Sequence, residues 1–517
     1  MKWLWQNKLV IFLAFVKFIL PLVVINPVWE LHRDEYLYYQ QGQHLALGFL
    51  ESPPLLSLLA YLSSLAGGSV FTIKFWPALF GALTLLVTTA MVKELGGKLF
   101  AQVIAASGIL FSAYMRVHYL FQPNFLDIFF WTLSAYFLIC YINTQQNKFL
   151  YCLSIALALG WWSKYSVLFF IAAIILSLLL TRHREIFKKK AFWMAVSLGL
   201  LLIIPNILWQ YFHKFPVIVH MKELRETQLQ YINKTDFIKE QILMLLPVVF
   251  VWIAGLMWLL KNSTYRIIAF MYLVVLILLL AGSGKNYYSL GAYPMVLAAG
   301  SVWLEKISIN RRWIKYASVP VIVVLSVLLV PVLLPLQTPK KMVAFNQKYK
   351  LREVGLLKWE DLRDHDLQQD FADMLGWKEL SAKSEKFYHS LSPAEQSDCM
   401  IYCRNYGQAG ALKYYGIDEA FKSKVSCDNG TFLLWISPRL YFKHLIFIGR
   451  QMPDKDDEVF NHFREVTIID SVSDPLSRQF GDKIIFYHDA DSIALKLARD
   501  GLNEMKQQFM LSPPVSR

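Results

Sequence analysis

The chain has 517 residues, of which 56% are hydrophobic and 15% aromatic, whereas apolar residues make up roughly 45 to 50% of ordinary globular domains. Its net charge of +14 does not indicate nucleic-acid binding, because the basic residues lie mostly in short breaks between apolar runs rather than on one soluble face. Composition therefore argues against a water-soluble domain and indicates a membrane protein.

The N-terminal segment starts with basic residues and continues into an apolar run longer than the core of a signal peptide, without an A-x-A cleavage site. We interpret it as an uncleaved first span. Ten further runs of about 15 to 24 residues are long enough for the roughly 30 Å hydrocarbon core. The predicted spans, about eleven in all, cover residues 9–28, 70–92, 99–115, 125–142, 149–163, 165–180, 191–212, 241–260, 266–281, 288–304 and 316–337.

Lysine and arginine residues predict the orientation of these spans. With the N-terminus inside, sixteen of them lie in inner loops and ten in outer loops, and the excess belongs on the cytoplasmic side. An odd number of spans then places residues 338–517 outside, as a domain separate from the membrane domain 1–337. The outer loops 29–69 and 213–240 are the long ones, so we expect function on that face.

The tail, residues 338–517, predicts a small extracytoplasmic α/β domain. Helices are expected at 409–415 and 493–506, and strands at DCMIYCRNYG, TFLLWI, LIFIG, VTIID and KIIFYH.

The five cysteines fall into two groups. Cys140 and Cys152 lie in apolar runs and are interpreted as small buried hydrophobes. A disulfide is permitted among Cys399, Cys403 and Cys427, and a bond from Cys427 to one of the other two would leave one thiol over. Their spacing indicates structural roles rather than a zinc site.

The first outer loop carries the sequence LHRDEYLYYQQGQHLALGFLESPPLL, residues 31–56. Residues 36–47 predict a short amphipathic helix along the membrane surface, which Gly48 could end. Asp34 either caps this helix or takes part in chemistry.

Glu51 follows in the same loop, directly before Ser52 and a Pro-Pro pair. The fixed backbone of the prolines would hold Glu51 near the start of the next apolar run. Acids at the hydrocarbon boundary are costly unless they are used or paired. The combination of Asp34 and Glu51 therefore favours a functional site.

Further charged residues lie at the same predicted depth. Asp127 lies just inside the fourth span, and Lys164, Lys285 and Tyr288 lie at outer corners between spans. Each lysine by itself could be a snorkelling surface residue. Together, carboxylates on one side and cations on the other suit a reaction on a lipid phosphate, and we expect them to meet in one outer-leaflet pocket.

The long outer loop 213–240 contains His213, His220 and Arg225 among aromatic residues. It predicts either an amphipathic surface segment or a mobile flap over the substrates. A divalent metal held by His213 or His220 together with Glu51 would suit imidazole and carboxylate ligands, but the spacing does not require one.

Several of these patches resemble one known family. DEYLYYQQGQHLALGFLESPPL resembles the first-loop signature of membrane glycosyltransferases of the C-type fold, in the bacterial branch related to protein O-mannosyltransferases and lipid A aminoarabinose transferase. LALGWWSKYSVLFF, residues 204–241, GKNYYSLGAYPMVLAAG and NYGQAGALKYYG resemble the same branch in the expected order.

The resemblance implies sugar transfer from a polyprenyl-phosphate donor to a lipid, glycan or protein acceptor, at the outer face of the plasma (inner) membrane, with the tail in the periplasm. It implies that Asp34, with Glu35 beside it, is the base or organises the site. Glu51 matches the acid before the family's proline, although many relatives have Asp-His where this chain has Glu51 and Ser52.

The resemblance also implies donor-binding residues. Lys164 and Lys285 match cationic positions that face the lipid phosphate, and Tyr288 lies in the family's paired tyrosines. No nucleotide-binding loop is present in the sequence, in keeping with a donor that already carries its phosphate leaving group.

Two other function classes stay open from the sequence. A lipid flippase or transporter would also have many spans, but it tends to show related halves with broken helices at the midplane. A non-catalytic scaffold of the cell envelope would not need its acids and lysines to converge.

Overall fold

The computed structural model describes residues 8–452 and 457–509, and the chain divides into two compact units. The helical unit comprises Met1–Ile25, Ser52–Leu208 and Met221–Leu336, and the mixed unit comprises Asn26–Glu51, Trp209–His220 and Gln337–Arg517. The sequence predicted one division, after residue 337. The mixed unit also takes in residues 26–51 and 209–220, because these segments make their contacts with the tail, which lies far away in the chain.

The helical unit is built from apolar helices, and each of the eleven predicted runs overlaps at least one α-helix. The α-helices of this part of the chain are Lys8–Val23, Leu55–Leu65, Val70–Glu94, Leu99–Leu110, Tyr114–Val117, Asn124–Thr144, Lys148–Ser163, Val167–Leu179, Lys190–Phe212, Pro216–Thr227, Lys234–Met244, Val249–Lys261, Arg266–Ala281, Tyr293–Ser308 and Arg312–Leu333. Short 3-10 helices occur at Arg182–Lys188, Leu229–Tyr231, Leu246–Val248 and Asn286–Ala292.

Within the described residues, four helices are long and apolar enough to cross a membrane: Val70–Glu94, Asn124–Thr144, Lys190–Phe212 and Arg312–Leu333. Two bent pairs pass the same test, Val167–Leu179 with Arg182–Lys188 at 105° and Lys234–Met244 with Leu246–Lys261 at 67°. Other helices are shorter, such as Lys148–Ser163, whose 16 residues extend only about 24 Å at about 1.5 Å per residue. A total of eleven spans therefore stays a prediction.

Close helix packing holds the helical unit together, since its core is almost wholly aliphatic and aromatic. Helices Val249–Lys261 and Tyr293–Ser308 approach through Gly255 and Gly300. A Cβ atom at Gly255 would overlap the carbonyl of Val296, and one at Gly300 would overlap that of Val251. Small residues permit such backbone approach between apolar helices.

The mixed unit contains one sheet in the described residues. Its strands are β1 (Cys399–Cys403), β2 (Val425–Ser426), β3 (His444–Gly449), β4 (Phe463–Ser471) and β5 (Lys483–Ala490), in the order β2-β1-β3-β5-β4. The β2-β1-β3 pairs are parallel, whereas β5 pairs antiparallel with both β3 and β4. Its helices are Arg33–Gln43, Pro339–Lys348, Gln369–Ala372, Trp377–Ser390, Pro393–Ser397, Tyr406–Tyr415, Glu419–Lys424, Phe432–Trp435 and Ser492–Gln507, with a 3-10 helix at Glu458–His462.

Most of the predicted tail elements are confirmed, including the helices at 409–415 and 493–506. The strand predicted at TFLLWI is wrong, because residues Phe432–Trp435 form one helical turn. A short apolar run does not by itself distinguish a buried strand from a buried helix, and here the turn follows Gly430 at φ +63°. All five cysteines, which lie in the described part of the chain, are free thiols, so the disulfide considered from the sequence is not formed.

Candidate active site

The first-loop helix runs from Arg33 to Gln43 rather than over residues 36–47. His32 is its N-cap: the Nδ1 atom of His32 accepts from the Asp34 amide at 3.2 Å, and the Glu35 carboxylate accepts from the His32 amide at 2.8 Å. Such reciprocal bonds satisfy amides that the helix itself leaves open. The cap is therefore His32 and not Asp34, and Glu35, fully buried, closes the capping box.

This arrangement leaves the carboxylate of Asp34 available for other partners. Its Oδ1 atom accepts a hydrogen bond from the Tyr406 hydroxyl at 2.8 Å and one from Arg33 Nε at 3.3 Å. Burial by itself would raise the pKa of Asp34. The Arg33 guanidinium, the His32 imidazole and the hydrogen bond from Tyr406 outweigh burial and hold this pKa well below its usual value. Asp34 is therefore a carboxylate whose negative charge persists at all physiological pH values.

Tyr406 reaches Asp34 because two helices of the mixed unit pack closely. A Cβ atom on Gly407 would come within 2.5 Å of Arg33 Cγ, and one on Gly410 within 2.7 Å of Tyr36 Cβ. These glycines lie in NYGQAGALKYYG, the tail patch that resembles the family named in the sequence analysis. The role of Tyr406 itself was missed, since its partner lies 372 positions away in the chain.

A second set of charges fixes the start of the first-loop helix. His32 Nε2 lies 3.7 Å from the buried carboxylate of Asp373, which also pairs with Arg478 at 3.0 Å. The Arg33 amide donates to the Asp373 carbonyl at 3.2 Å. The residues around Asp34 are thus held by the tail, which makes the position of Asp34 a property of the mixed unit as a whole.

Glu51 is anchored by the turn that precedes helix Phe432–Trp435. Its carboxylate accepts from the amide and the hydroxyl of Thr431, and from Gln41 Nε2 at 3.1 Å. The Thr431 hydroxyl in turn accepts from the Leu50 amide at 3.0 Å. Because both oxygens of Glu51 bind protein donors, this residue is suited to holding the loop in place.

Gly430 allows this anchoring, which gives a prediction. A Cβ atom there would overlap the Glu51 carboxylate, while Gly481, at φ +79°, has nothing within 4 Å. Gly430→Ala and Gly481→Ala share the strain of a left-handed conformation, roughly 1 to 2 kcal/mol of the free energy of unfolding. We expect only Gly430→Ala to lower the rate of the sugar transfer that the sequence resemblance implies, by about 10²-fold, as a small misplacement can do.

Transfer by the two purified variants, each corrected for its folded fraction from thermal unfolding, is the measurement. Equal rates for Gly430→Ala and Gly481→Ala would show that the position of Glu51 does not matter for activity.

In the helical unit the predicted donor-binding residues lie together. The ammonium of Lys164 donates to Asn124 Oδ1 at 2.7 Å and lies 4.1 Å from the centre of the Tyr288 ring and 5.7 Å from that of Tyr287. The charge of Lys285 is close enough to interact with that of Lys164. Two cations and a pair of tyrosines thus form one cluster, in which the aromatic faces favour the cation.

Asp127 borders this cluster from within helix Asn124–Thr144. It is buried, accepts a hydrogen bond from Ser166 Oγ at 2.8 Å, and interacts with the charge of Lys164. A buried acid in a membrane helix needs such a partner. Its position next to Lys164 suits a role as the partner of that lysine, and a direct role of Asp127 toward the substrate stays a prediction.

The segment predicted as the loop 213–240 is largely helical, with helices Pro216–Thr227 and Lys234–Met244. His213 stacks on Trp209, with 3.9 Å between ring centres, and its Nδ1 atom is hydrogen-bonded to the Trp209 carbonyl at 2.8 Å. His220 and Arg225 lie on the first of these helices, where Arg225 is exposed.

A metal held by these histidines and Glu51 stays a prediction. Both oxygens of Glu51 accept hydrogen bonds from Thr431 and Gln41, which does not exclude a metal, because carboxylates that bind metals are commonly hydrogen-bonded as well. Among the described residues, His444, His488 and Asp489 form a group that could hold a metal ion.

Asp34 and Glu51 belong to the mixed unit and Lys164 and Lys285 to the helical unit, so the meeting of the acids with the lysines in one pocket stays a prediction.

Comparison with known proteins agrees with the sequence resemblance. Residues 51–209 match the profile of the family described as dolichyl-phosphate-mannose-protein mannosyltransferase. The structure of ArnT from Cupriavidus metallidurans in the apo state has a TM-score of 0.60 at 11% identity, covering 93% of this chain and 97% of ArnT. The same enzyme bound to undecaprenyl phosphate gives a TM-score of 0.55 at 10% identity with the same coverage.

No curated protein sequence matches the chain significantly. The structural likeness nevertheless extends over nearly the whole chain and therefore defines its architecture. The chain has the fold of the C-type membrane glycosyltransferases, and its residues 51–209 match the dolichyl-phosphate-mannose-protein mannosyltransferase family.

Proposed function

We propose that the chain is a membrane glycosyltransferase that moves a sugar from a polyprenyl-phosphate donor to a lipid, glycan or protein acceptor. The observation that carries the proposal is the cluster of Lys164, Lys285 and Tyr288, because clustered cations suit a lipid phosphate. The family match over residues 51–209 and the ArnT-like fold support it, as does the undecaprenyl phosphate that ArnT binds.

The proposed topology follows the positive-inside rule. It has eleven spans in the plasma (inner) membrane, a cytoplasmic N-terminus, and residues 338–517 outside. In this arrangement Asp34 and Lys164 both face the outer leaflet, where a lipid-linked sugar and its acceptor would meet.

The proposed reaction forms one bond and breaks another at the anomeric carbon of the sugar. The acceptor oxygen or nitrogen attacks this carbon, its proton passes to the Asp34 carboxylate, and the bond from the carbon to the phosphate oxygen breaks. The electron pair of that bond leaves with the lipid phosphate, whose negative charge Lys164 and Lys285 stabilise. General-base assistance typically contributes about 10² to 10⁴ in rate.

Roles for the other residues follow from their contacts. Arg33 and Tyr406 orient Asp34 and keep it ionised. Glu51 positions the first loop through Thr431, and Glu35 caps the loop helix. This chain has Glu51 and Ser52 where many relatives have Asp-His. In this proposal, the difference changes how the first loop is anchored.

Mass spectrometry of envelope glycolipids, glycans and glycoproteins, from cells with and without this protein, tests the proposal. We expect one class of molecules to lose the mass of a hexose or an amino sugar when the protein is absent, which identifies donor and acceptor together.

Transfer by the purified protein, using the radiolabelled donor identified in this way, separates the alternatives. Release of polyprenyl phosphate together with labelled acceptor supports a transferase. Movement of the lipid across vesicles without bond cleavage would instead show a flippase, and neither event would indicate a scaffold.

A further inference from the structure

One row of side chains crosses the sheet of the mixed unit, outside the candidate active site. Strand register places His444 of β3 opposite His488 of β5, since Leu445 pairs with Tyr487. Glu465 of β4 lies opposite His488 on the other side. Directly opposed residues in a sheet point to the same face, so two imidazoles and a carboxylate are presented side by side.

The two histidines of this row, together with Asp489 next to His488, approach the geometry of a metal site. The ring centres of His444 and His488 are 4.5 Å apart. One ligand atom from each of His444, His488 and Asp489 lies within 4.8 Å of the other two. Ligands bound to zinc at about 2.0 to 2.2 Å would be closer to one another, so the three side chains would need to close in by about an ångström.

The backbone at Asp489 favours this placement. Asp489 has φ +59°, a left-handed conformation that Asp and Asn adopt more readily than other residues apart from glycine. The Asp489 amide donates a hydrogen bond to His444 Nδ1 at 3.3 Å, which fixes the end of β5 next to the first residue of β3. His444 would give up this bond when it binds a metal, because the bond occupies the lone pair of Nδ1.

Of the charged neighbours, one carboxylate would support a bound cation and two basic side chains would compete with it. Glu395 Oε1 lies 3.4 Å from His488 Nε2, and a carboxylate behind a histidine is the usual orienting partner of a metal ligand. Against the cation, Lys443 pairs with Asp489 at 3.1 Å and Arg464 lies at 3.8 Å. Both side chains are more than half exposed and can move into solvent.

We propose that His444, His488 and Asp489 form a zinc site that joins the start of β3 to the end of β5. Two imidazoles and one carboxylate are a ligand set that zinc accepts, with a fourth position for water or a second carboxylate. The site lies just before Asp491, the N-cap of helix Ser492–Gln507, so bound zinc would fasten this helix to the sheet.

Zinc titration of the full-length protein in detergent, after removal of metals with a chelator, tests this proposal. We expect a single tight zinc ion per chain, a raised temperature of unfolding, and visible absorption from a Co²⁺-substituted site. His488→Gln and Asp489→Asn are each expected to lower zinc affinity by about tenfold or more. Asn tolerates the left-handed conformation at position 489, so this variant removes the charge without straining the backbone.

His389→Ala is the matched control, because His389 lies in the same unit and faces Asp418 instead. The proposal is overturned if the metal-free protein binds no zinc, or if His488→Gln and Asp489→Asn bind it as tightly as His389→Ala does. Because His444 is buried and its replacement could unfold the unit, the two milder variants decide the question.

Discussion

Asp34→Asn is expected to lower the rate of sugar transfer by about 10²- to 10⁴-fold, the range for loss of a positioned general base. The substitution keeps the size of the side chain and its ability to accept from Tyr406, but it removes the negative charge that Arg33 and His32 stabilise. Transfer of radiolabelled sugar by the protein in reconstituted membranes is the measurement. Asp361→Asn, an exposed acid of the same unit paired with His365 at 2.9 Å, is the matched control and should keep its activity.

Tyr406→Phe distinguishes a chemical role of Asp34 from a structural one. The Tyr406 hydrogen bond lowers the pKa of Asp34, so its loss raises that pKa and Asp34 takes up a proton at a higher pH. If Asp34 is the base, the acid limb of the pH–rate profile lies below the usual carboxylate range, because Arg33 and His32 also lower this pKa. In Tyr406→Phe this limb moves toward neutral pH, so the rates are compared under acidic conditions. An unchanged profile, together with wild-type transfer by Asp34→Asn, would exclude Asp34 from the reaction.

Lys164→Met is expected to lower transfer by about 10²- to 10³-fold, as removal of one stabilising contact to a developing charge does. Methionine keeps the apolar length of the side chain next to Tyr288 and removes the ammonium. Lys148→Met is the matched control, because Lys148 is the exposed first residue of the helix that Lys164 follows directly. The initial rate of release of polyprenyl phosphate is the measurement.

The double variant Lys164→Met with Asp127→Asn separates two explanations for this loss. If Lys164 only offsets the buried charge of Asp127, removing both charges restores the activity seen in Asp127→Asn. If Lys164 contacts the donor phosphate, the double variant stays as slow as Lys164→Met. Recovery in the double variant would therefore contradict the proposed role.

The sequence predicted which residues belong to the lysine cluster, but not which side chains contact them. The ends of the apolar runs can be read from the sequence. They led to the prediction that Lys164 and Lys285 lie at a similar depth in the membrane. Asn124 and the Tyr288 ring, which hold the Lys164 ammonium, come from other helices. Which helices pack together depends on long-range complementarity such as the Gly255 and Gly300 crossing, and this leaves little trace in local sequence.

The carboxylates of the first loop show the same limit. The sequence predicted a helix and singled out three acids in this loop. The partner of Glu35, the His32 amide, is local. The roles of Asp34 and Glu51 could not be predicted in the same way, because their donors Tyr406 and Thr431 come from the tail.

The sequence by itself determined the positions of the apolar helices and the change to a polar tail, because hydrophobic periodicity acts locally along the chain. It also predicted acids and lysines near the membrane boundary, from the cost of charge in lipid. Only the tertiary structure decided that residues 26–51 join the tail, that residues 432–435 form a helical turn instead of a strand, and that His444 and His488 lie side by side. Those outcomes depend on free energies of contact between segments that are not adjacent in the chain, and no local pattern contains them.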